Sequence, residues 1–336
     1  MPTHISRWDL DKTYLRTEFD TMRDLVRTAL ERPDEKRTNP GAATLLRELS
    51  HSDVSIYILS GSPEQMRRRL EEKLKLDGIK WDGFTLKPNL QNMLRLRFRA
   101  LRDQLGYKLP ALLSSRTEAG DALAGVKETL VGDDAEADAF VYSLYADIMA
   151  GRAGEELVQQ VLERGRVYED VIERAIRGVR LAKGEPVVER ILIHLEQQTH
   201  PRDFQMFGAR VVPFYNYLQA AFVIYEDGRL PAPSLLRVAA EMVTLHRFDG
   251  DALARSYADL AKRGHLTGAK IDEVVASLPT FESQASGVAK EEVRRMVERL
   301  PPQAALAREH WQPLDEQPMP DYLNLVGRHN KRTKKK

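Results

Sequence analysis

Two carboxylates two residues apart, with a hydroxyl close behind, stand near the start of the chain: Trp8-Asp9-Leu10-Asp11-Lys12-Thr13. Placed just after a strand, Asp9 and Asp11 can point to the same side. One carboxylate can then attack phosphorus while the other hands a proton to the leaving group. A turn or a helix-capping Asp is the plainer reading of such a string. A second acidic group, Val131-Gly132-Asp133-Asp134-Ala135-Glu136-Ala137-Asp138, follows the run Glu128–Val131. Carboxylates crowded after a strand suit a hard cation, and Mg2+ takes one or two of them together with substrate oxygens and water. An acidic helix N-terminus would also account for them. Between the two groups lies Ser60, at the end of Val54–Leu59 (VSIYIL) and just before Gly61-Ser62-Pro63. The Ser60 hydroxyl and the backbone N–H groups at Gly61 make a phosphate cradle if a helix begins there, or a simple helix cap.

A transferring phosphoryl group also needs a positive donor on its equatorial oxygens. Lys87, Lys108 and Lys127 are the candidates between the second and last groups. Lys127 precedes the final strand and falls at its wrong end. Lys87 follows a possible strand. Lys108 opens a helical run (KLPALL) 24 residues before Gly132. For any one of them a solvated surface charge is the alternative.

The elements that must hold these residues alternate between two periods. Thr3–Trp8 is a short, partly apolar run ending at an acidic cluster. Met22, Leu25, Val26, Ala29 and Leu30 recur at helical spacing, Asn39-Pro40-Gly41 interrupts, and Leu45, Leu46 and Leu49 resume it. Val54–Leu59 is β-branched and apolar, and Glu64–Leu76 is rich in helix formers after Pro63. Phe84–Leu86 is a possible strand, Asn89–Leu105 a helix, Glu128–Val131 a strand, and the stretch with Phe140, Leu144 and Ile148 a helix. Alternating strands and helices predict an α/β fold with a parallel, Rossmann-like sheet, whose ligands sit beyond the carboxyl ends of the strands. All three polar groups fall there. After Gly151 the expectation is helical, through Glu155–Leu162, Val167–Leu181, Val187–Gln197, Pro233–His246, Ala252–Lys262, Ile271–Leu278 and Glu291–Leu300, with Gly and Pro as breakers.

Composition bounds the chemistry. The 336 residues contain no cysteine, which excludes disulfides, thiolate metal sites and cysteine nucleophiles. The formal charge is +1, but the last nine residues, Arg328 to Lys336, carry six basic residues and no acidic one. The rest of the chain is mildly acidic, so no stable nucleic-acid complex is expected. No run approaches the roughly 20 apolar residues of a membrane helix, and the N-terminus has no apolar stretch of signal-peptide length. These features predict a soluble, cytoplasmic protein, with peripheral contact to an anionic membrane open to the basic tail.

The ordered groups, D-x-D-x-T at 9–13, strand then Ser60, a lysine, and G-D-x-x-x-x-D at 132–138, resemble the haloacid dehalogenase superfamily of aspartate-nucleophile phosphatases. The stretches YILSGSP, YKLPALL and LVGDDAEADAFVYSLYADI are similar to the catalytic domain of the actin-patch-associated phosphatidate phosphatase family, over about residues 3–152. The sequence departs from that family in Asp134 for Ser, Tyr107 for His, and Leu86-Lys87-Pro88 for Leu-Arg-Asp. The resemblance implies Asp9 as nucleophile and Asp11 as general acid and then base. It implies Mg2+ held by the Asp9 carboxylate, the Asp11 backbone carbonyl and Asp133, with Asp138 a further ligand or a partner behind the ligands. Thr13 and Asp134 would support the loops, and Lys108 corresponds to the family's lysine. The implied activity is Mg2+-dependent phosphomonoester hydrolysis through an aspartyl-phosphate, with a lipid phosphate such as phosphatidate as a substrate. A phosphoprotein phosphatase or phosphotransferase of the same superfamily, and a non-catalytic scaffold of the same fold, are the alternatives.

The expected organisation is a phosphatase domain over 1–152 with a minimal cap, an α-helical domain over 153–302, and an extended segment with a basic disordered tail over 303–336. No phosphate-binding or dinucleotide glycine motif is present, and the eight histidines lack metal-ligand spacing. The Arg95–Arg102 stripe reads as an anion-facing or a solvated helix face. The aromatic segment 207–218 reads as a wall near the site or as core packing.

Overall fold

The computed structural model describes residues 2–16, 37–87, 101–135, 137–314 and 319–334. The expected helix through Met22–Leu30, most of the room for a cap, and Arg95, Arg97 and Arg99 lie outside them. In chain order the elements are β1 (His4–Trp8), α1 (Ala42–Ser50), β2 (Val54–Pro63), α2 (Arg67–Leu76), β3 (Gly83–Lys87), α3 (Leu101–Thr117), β4 (Lys127–Asp133), α4 (Asp138–Met149), α5 (Glu155–Arg164) and α6 (Glu169–Leu181). They continue with β5 (Val188–His194), β6 (Val211–Phe214), α7 (Tyr217–Glu226), α8 (Ala232–His246), α9 (Gly250–Lys262), α10 (Ile271–Gln284), α11 (Gly287–Glu298), α12 (Leu300–His310) and α13 (Tyr322–Lys334).

The six strands form one sheet in the order β3-β2-β1-β4-β5-β6, and every pairing is parallel. The chain winds outward from β1 to β3, then crosses back to β4 on the other side of β1. That reversal leaves a crevice beyond the carboxyl ends of β1 and β4, where the connections diverge. Asp9 follows β1 directly, and Asp133 ends β4.

The pleat assigns side chains to two cores. Ile56, Ile58, Val131, Leu192 and Val212 face one layer, built on α1, α2 and α7–α12. Leu59, Leu130, Ile191, Ile193 and Val211 face the other, built on α3–α6 and α13. Burial on both faces explains why these strands read as continuous apolar runs rather than alternating ones.

The second half is not purely helical. Val187–Gln197, expected as helix, contains β5, and the aromatic segment contains β6. In a central parallel strand both faces are apolar, so a run such as Arg190-Ile191-Leu192-Ile193 carries no period that separates it from a buried helix. Its charges are neutralised at the strand margin, with Arg190 paired to Asp227 at 2.9 Å and Glu189 to Arg229 at 3.0 Å. The sheet therefore runs through the boundary placed at residue 152. Among the described residues after 302, helix stands where an extended segment was expected. The chain completes α12, and α13 carries it into the basic residues. Tyr322 anchors α13 through an edge contact with Phe140, at 5.4 Å and 84°, and a hydrogen bond to Asp147 at 2.5 Å. Pro279, expected to break a helix, lies inside α10. Among the described residues no helix is long and apolar enough to cross a membrane.

Candidate functional site

The site begins where β1 ends. The Asp9 amide donates to the Val131 carbonyl at 2.9 Å, so the strand pairing runs up to the first carboxylate. Asp9, Asp133 and Asp138 are all buried, and one oxygen from each lies within 4.8 Å of the others. Carboxylates this close repel one another unless positive charge lies among them. Lys108, fully buried, supplies some of it. Its ammonium lies against Asp138 and 3.6 Å from Asp9 Oδ2. The three aspartates form an oxygen donor set of the type hard cations prefer, and could hold a metal ion.

The loop after β4 folds to converge these groups. Asp133 Oδ1 accepts the Ala135 N–H at 2.6 Å, and Asp138 Oδ2 accepts the Asp133 N–H at 3.2 Å. Asp138 opens α4, where the helix N-terminus favours a carboxylate. Gly132 makes the approach feasible, because a Cβ there would meet the Asp138 carboxylate. Thr13 Oγ1 lies 3.3 Å from Asp133 Oδ2 and 3.5 Å from Asp9 Oδ2, joining the two loops. Asp134 turns elsewhere and accepts the N–H groups of Gln197 at 2.7 Å and Thr199 at 2.9 Å. It ties the loop after β4 to the loop after β5.

Asp11 faces a different set of partners. Its Oδ2 accepts the hydroxyls of Ser60 at 3.0 Å and Ser62 at 2.8 Å, and the Ser62 N–H donates to Ser60 Oγ at 3.0 Å. The strand register shifts between Ser60 and Pro63, so Gly61 and Ser62 form an irregular end to β2. The structure thus sets Asp9 in the acidic cluster and ties the Asp11 side chain to the serines at the β2 end. Thr13, Asp133, Asp138 and Lys108 gather on Asp9, while Ser60 gathers on Asp11. Lys108 sits within α3 rather than at the start of a helix. Lys87 ends β3 and lines a groove between α3 and α6.

Four residues outside the expected set shape the first loop. Asn39 Nδ2 donates to the carbonyls of Lys12 at 2.9 Å and Thr13 at 2.7 Å. The Tyr217 hydroxyl also donates to the Thr13 carbonyl. His194 Nδ1 lies 3.4 Å from the Lys12 carbonyl, and burial lowers the pKa of this imidazole. Ser62 is the fourth. Its spacing from Ser60 was the one legible signal. Asn39 read as loop punctuation, and Tyr217 was one aromatic in a rich segment. Burial, with Asp133 and Asp9 nearby, raises the Tyr217 pKa well above its ordinary value, which keeps the phenol a donor.

Comparison with protein-family models, with curated proteins and with solved structures gives no match for the chain.

Proposed function

We propose that the protein is a phosphomonoester hydrolase that works through an aspartyl-phosphate on Asp9, with Mg2+ as its cation. The observation that carries this reading is the division of labour between the two carboxylates of one turn. Asp9 lies among Lys108, Asp133 and Asp138, while Asp11 lies two residues on against two serine hydroxyls.

The chemistry follows from those positions. A carboxylate oxygen of Asp9 attacks phosphorus as the bond from phosphorus to the leaving oxygen breaks. The leaving oxygen takes a proton from the Asp11 carboxyl. Asp11, now a carboxylate, accepts a proton from water as that water's oxygen attacks the phosphorus of the aspartyl-phosphate. The P–O bond to Asp9 breaks, and inorganic phosphate leaves. Lys108 offsets negative charge at Asp9 throughout. A bound divalent cation would neutralise the repulsion between the phosphate dianion and Asp9. The donors on the phosphoryl oxygens would be the Lys108 ammonium and backbone N–H groups around Gly61.

A groove of about 970 Å3, lined by apolar side chains and by charged ones such as Lys87, Arg102 and Arg174, leaves room for a bulky leaving group such as that of a lipid phosphate. Its lining starts at Leu86, the register partner of Ser60, and at Tyr107, the chain neighbour of Lys108. It continues along Pro110, Val171 and Leu181. Tyr107 donates to the Thr85 carbonyl at 3.1 Å, which joins α3 to β3 in the groove's lining.

The test is phosphate release from an aryl phosphate with Mg2+, by the wild type and by Asp9→Asn. The expected result is turnover that chelator stops and that the folded variant lacks. Release that persists in Asp9→Asn, or in excess chelator, would overturn the reading. A panel of phosphatidate, phosphoprotein and sugar phosphates then identifies the substrate class.

A further inference from the structure

We infer that Tyr217, contributed by the second half of the chain, is a positioning residue for the Asp9–Thr13 turn. Its kinetic consequence rests on the phosphatase reading; its structural consequence does not. Tyr217 opens α7 and is fully buried. One side chain grips both ends of the turn. Its ring stacks on Trp8, the last residue of β1, with centroids 5.9 Å apart and planes 18° from parallel. Its hydroxyl donates to the carbonyl of Thr13, at the far end. Asp9 and Asp11 lie between these two anchors.

The turn needs such a grip. Lys12 has φ of 61°, the left-handed region that a residue with a long side chain rarely adopts and that persists only where the surroundings enforce it. Enforcement comes from three distant elements converging on the carbonyls of Lys12 and Thr13: Asn39 before α1, His194 at the end of β5, and Tyr217 on α7. The His194 and Tyr217 rings are themselves in contact, with centroids 5.2 Å apart. From the held backbone of Thr13, its hydroxyl reaches Asp133 and Asp9. Tyr217 therefore acts through Thr13 on the spacing of the carboxylates.

Tyr217→Phe separates this role from ordinary core packing. The ring stack is kept, and the Thr13 carbonyl retains its Asn39 donor, so the fold should survive. Hydrogen–deuterium exchange of amides 8–16 in the full chain reads the turn directly. The expected result is exchange at least tenfold faster there and unchanged in β5. With Mg2+ and an aryl phosphate, kcat should fall about tenfold or more at nearly constant KM. Tyr225→Phe is the control on the same helix, since its hydroxyl donates to the Lys270 carbonyl at 2.7 Å, away from the site. It should leave both the exchange of 8–16 and kcat as in the wild type. If Tyr217→Phe does not fold, Trp8→Phe weakens the same stack and should quicken the same amides. Wild-type exchange of amides 8–16 in the folded variant would overturn the inference. A wild type that releases no phosphate from any substrate would overturn the phosphatase reading alone, and the exchange result would still decide the role of Tyr217.

Discussion

Gly132 faces Asp138 so closely that a Cβ added to the glycine would lie 2.2 Å from Asp138 Oδ2 and 2.7 Å from its Cβ. The aspartate occupies the volume that any other residue at 132 would claim. This contact delivers a carboxylate from the start of α4 to the end of β4, against Lys108.

Gly132→Ala should therefore displace Asp138. Overpacking of this kind costs about 1–3 kcal/mol, which urea denaturation would detect. The larger effect should be on Mg2+ binding, weakened at least tenfold by isothermal titration. Unchanged affinity would mean that Asp138 takes no part in holding the cation.

Asp11→Asn should discriminate between leaving groups. An alkyl alkoxide needs a proton on departure and a nitrophenolate does not, and a placed general acid contributes about 10²–10⁴ in rate. The variant should lose far more activity on an alkyl phosphate than on an aryl phosphate, and should show a burst of aryl product before a slow steady state. Equal losses without a burst would remove the proton-transfer role from the Asp11 side chain.

A chain cut after residue 152 should not fold alone. It would lose β5 and β6, leaving the edge of β4 unpaired. It would also lose α7, which covers Trp8, and α8, which packs with α7 on the same face. Circular dichroism with a denaturant titration should show no cooperative transition. A sharp transition would restore the boundary placed there from the sequence.

His4 makes stability depend on pH. Burial, with Arg229 adding to it, lowers its pKa to about 3 from an ordinary 6.5, while its Nε2 lies 2.9 Å from Thr129 Oγ1. Between those values the unfolded chain binds a proton that the folded protein lacks. Stability should fall as pH drops from about 6.5 towards 3, by up to about 1.4 kcal/mol per pH unit from this group, with no contribution above 6.5. His4→Gln should flatten that part of the profile. Parallel profiles for the two proteins would show that His4 titrates in the folded state at its ordinary value.

The sequence alone determined the candidate groups and the strands beside which they lie. D-x-D-x-T after a short, partly apolar run, Ser60 after VSIYIL and the acidic stretch after Glu128–Val131 are local signals. Residue type, period and breaker fall within a few positions of one another, and the bodies of β1, β2 and β4 lie where those signals put them, although β2 runs on through Ser60 to Pro63 and β4 to Asp133. Only the tertiary structure decided how the groups are shared out. Asp9 and Asp11 are two residues apart, yet one joins the acidic cluster and the other bonds the serines. The turn that carries both is left-handed at Lys12 and is held by residues distant in sequence. The place of β5 and β6 was hidden for the same class of reason. A strand buried on both faces loses the alternation that would mark it, and its partner strands lie far away in sequence. Contacts such as those from Tyr217 and His194 to the first loop bridge 204 and 182 residues. No local pattern encodes them, since they arise only when the sheet closes and brings its carboxyl ends together.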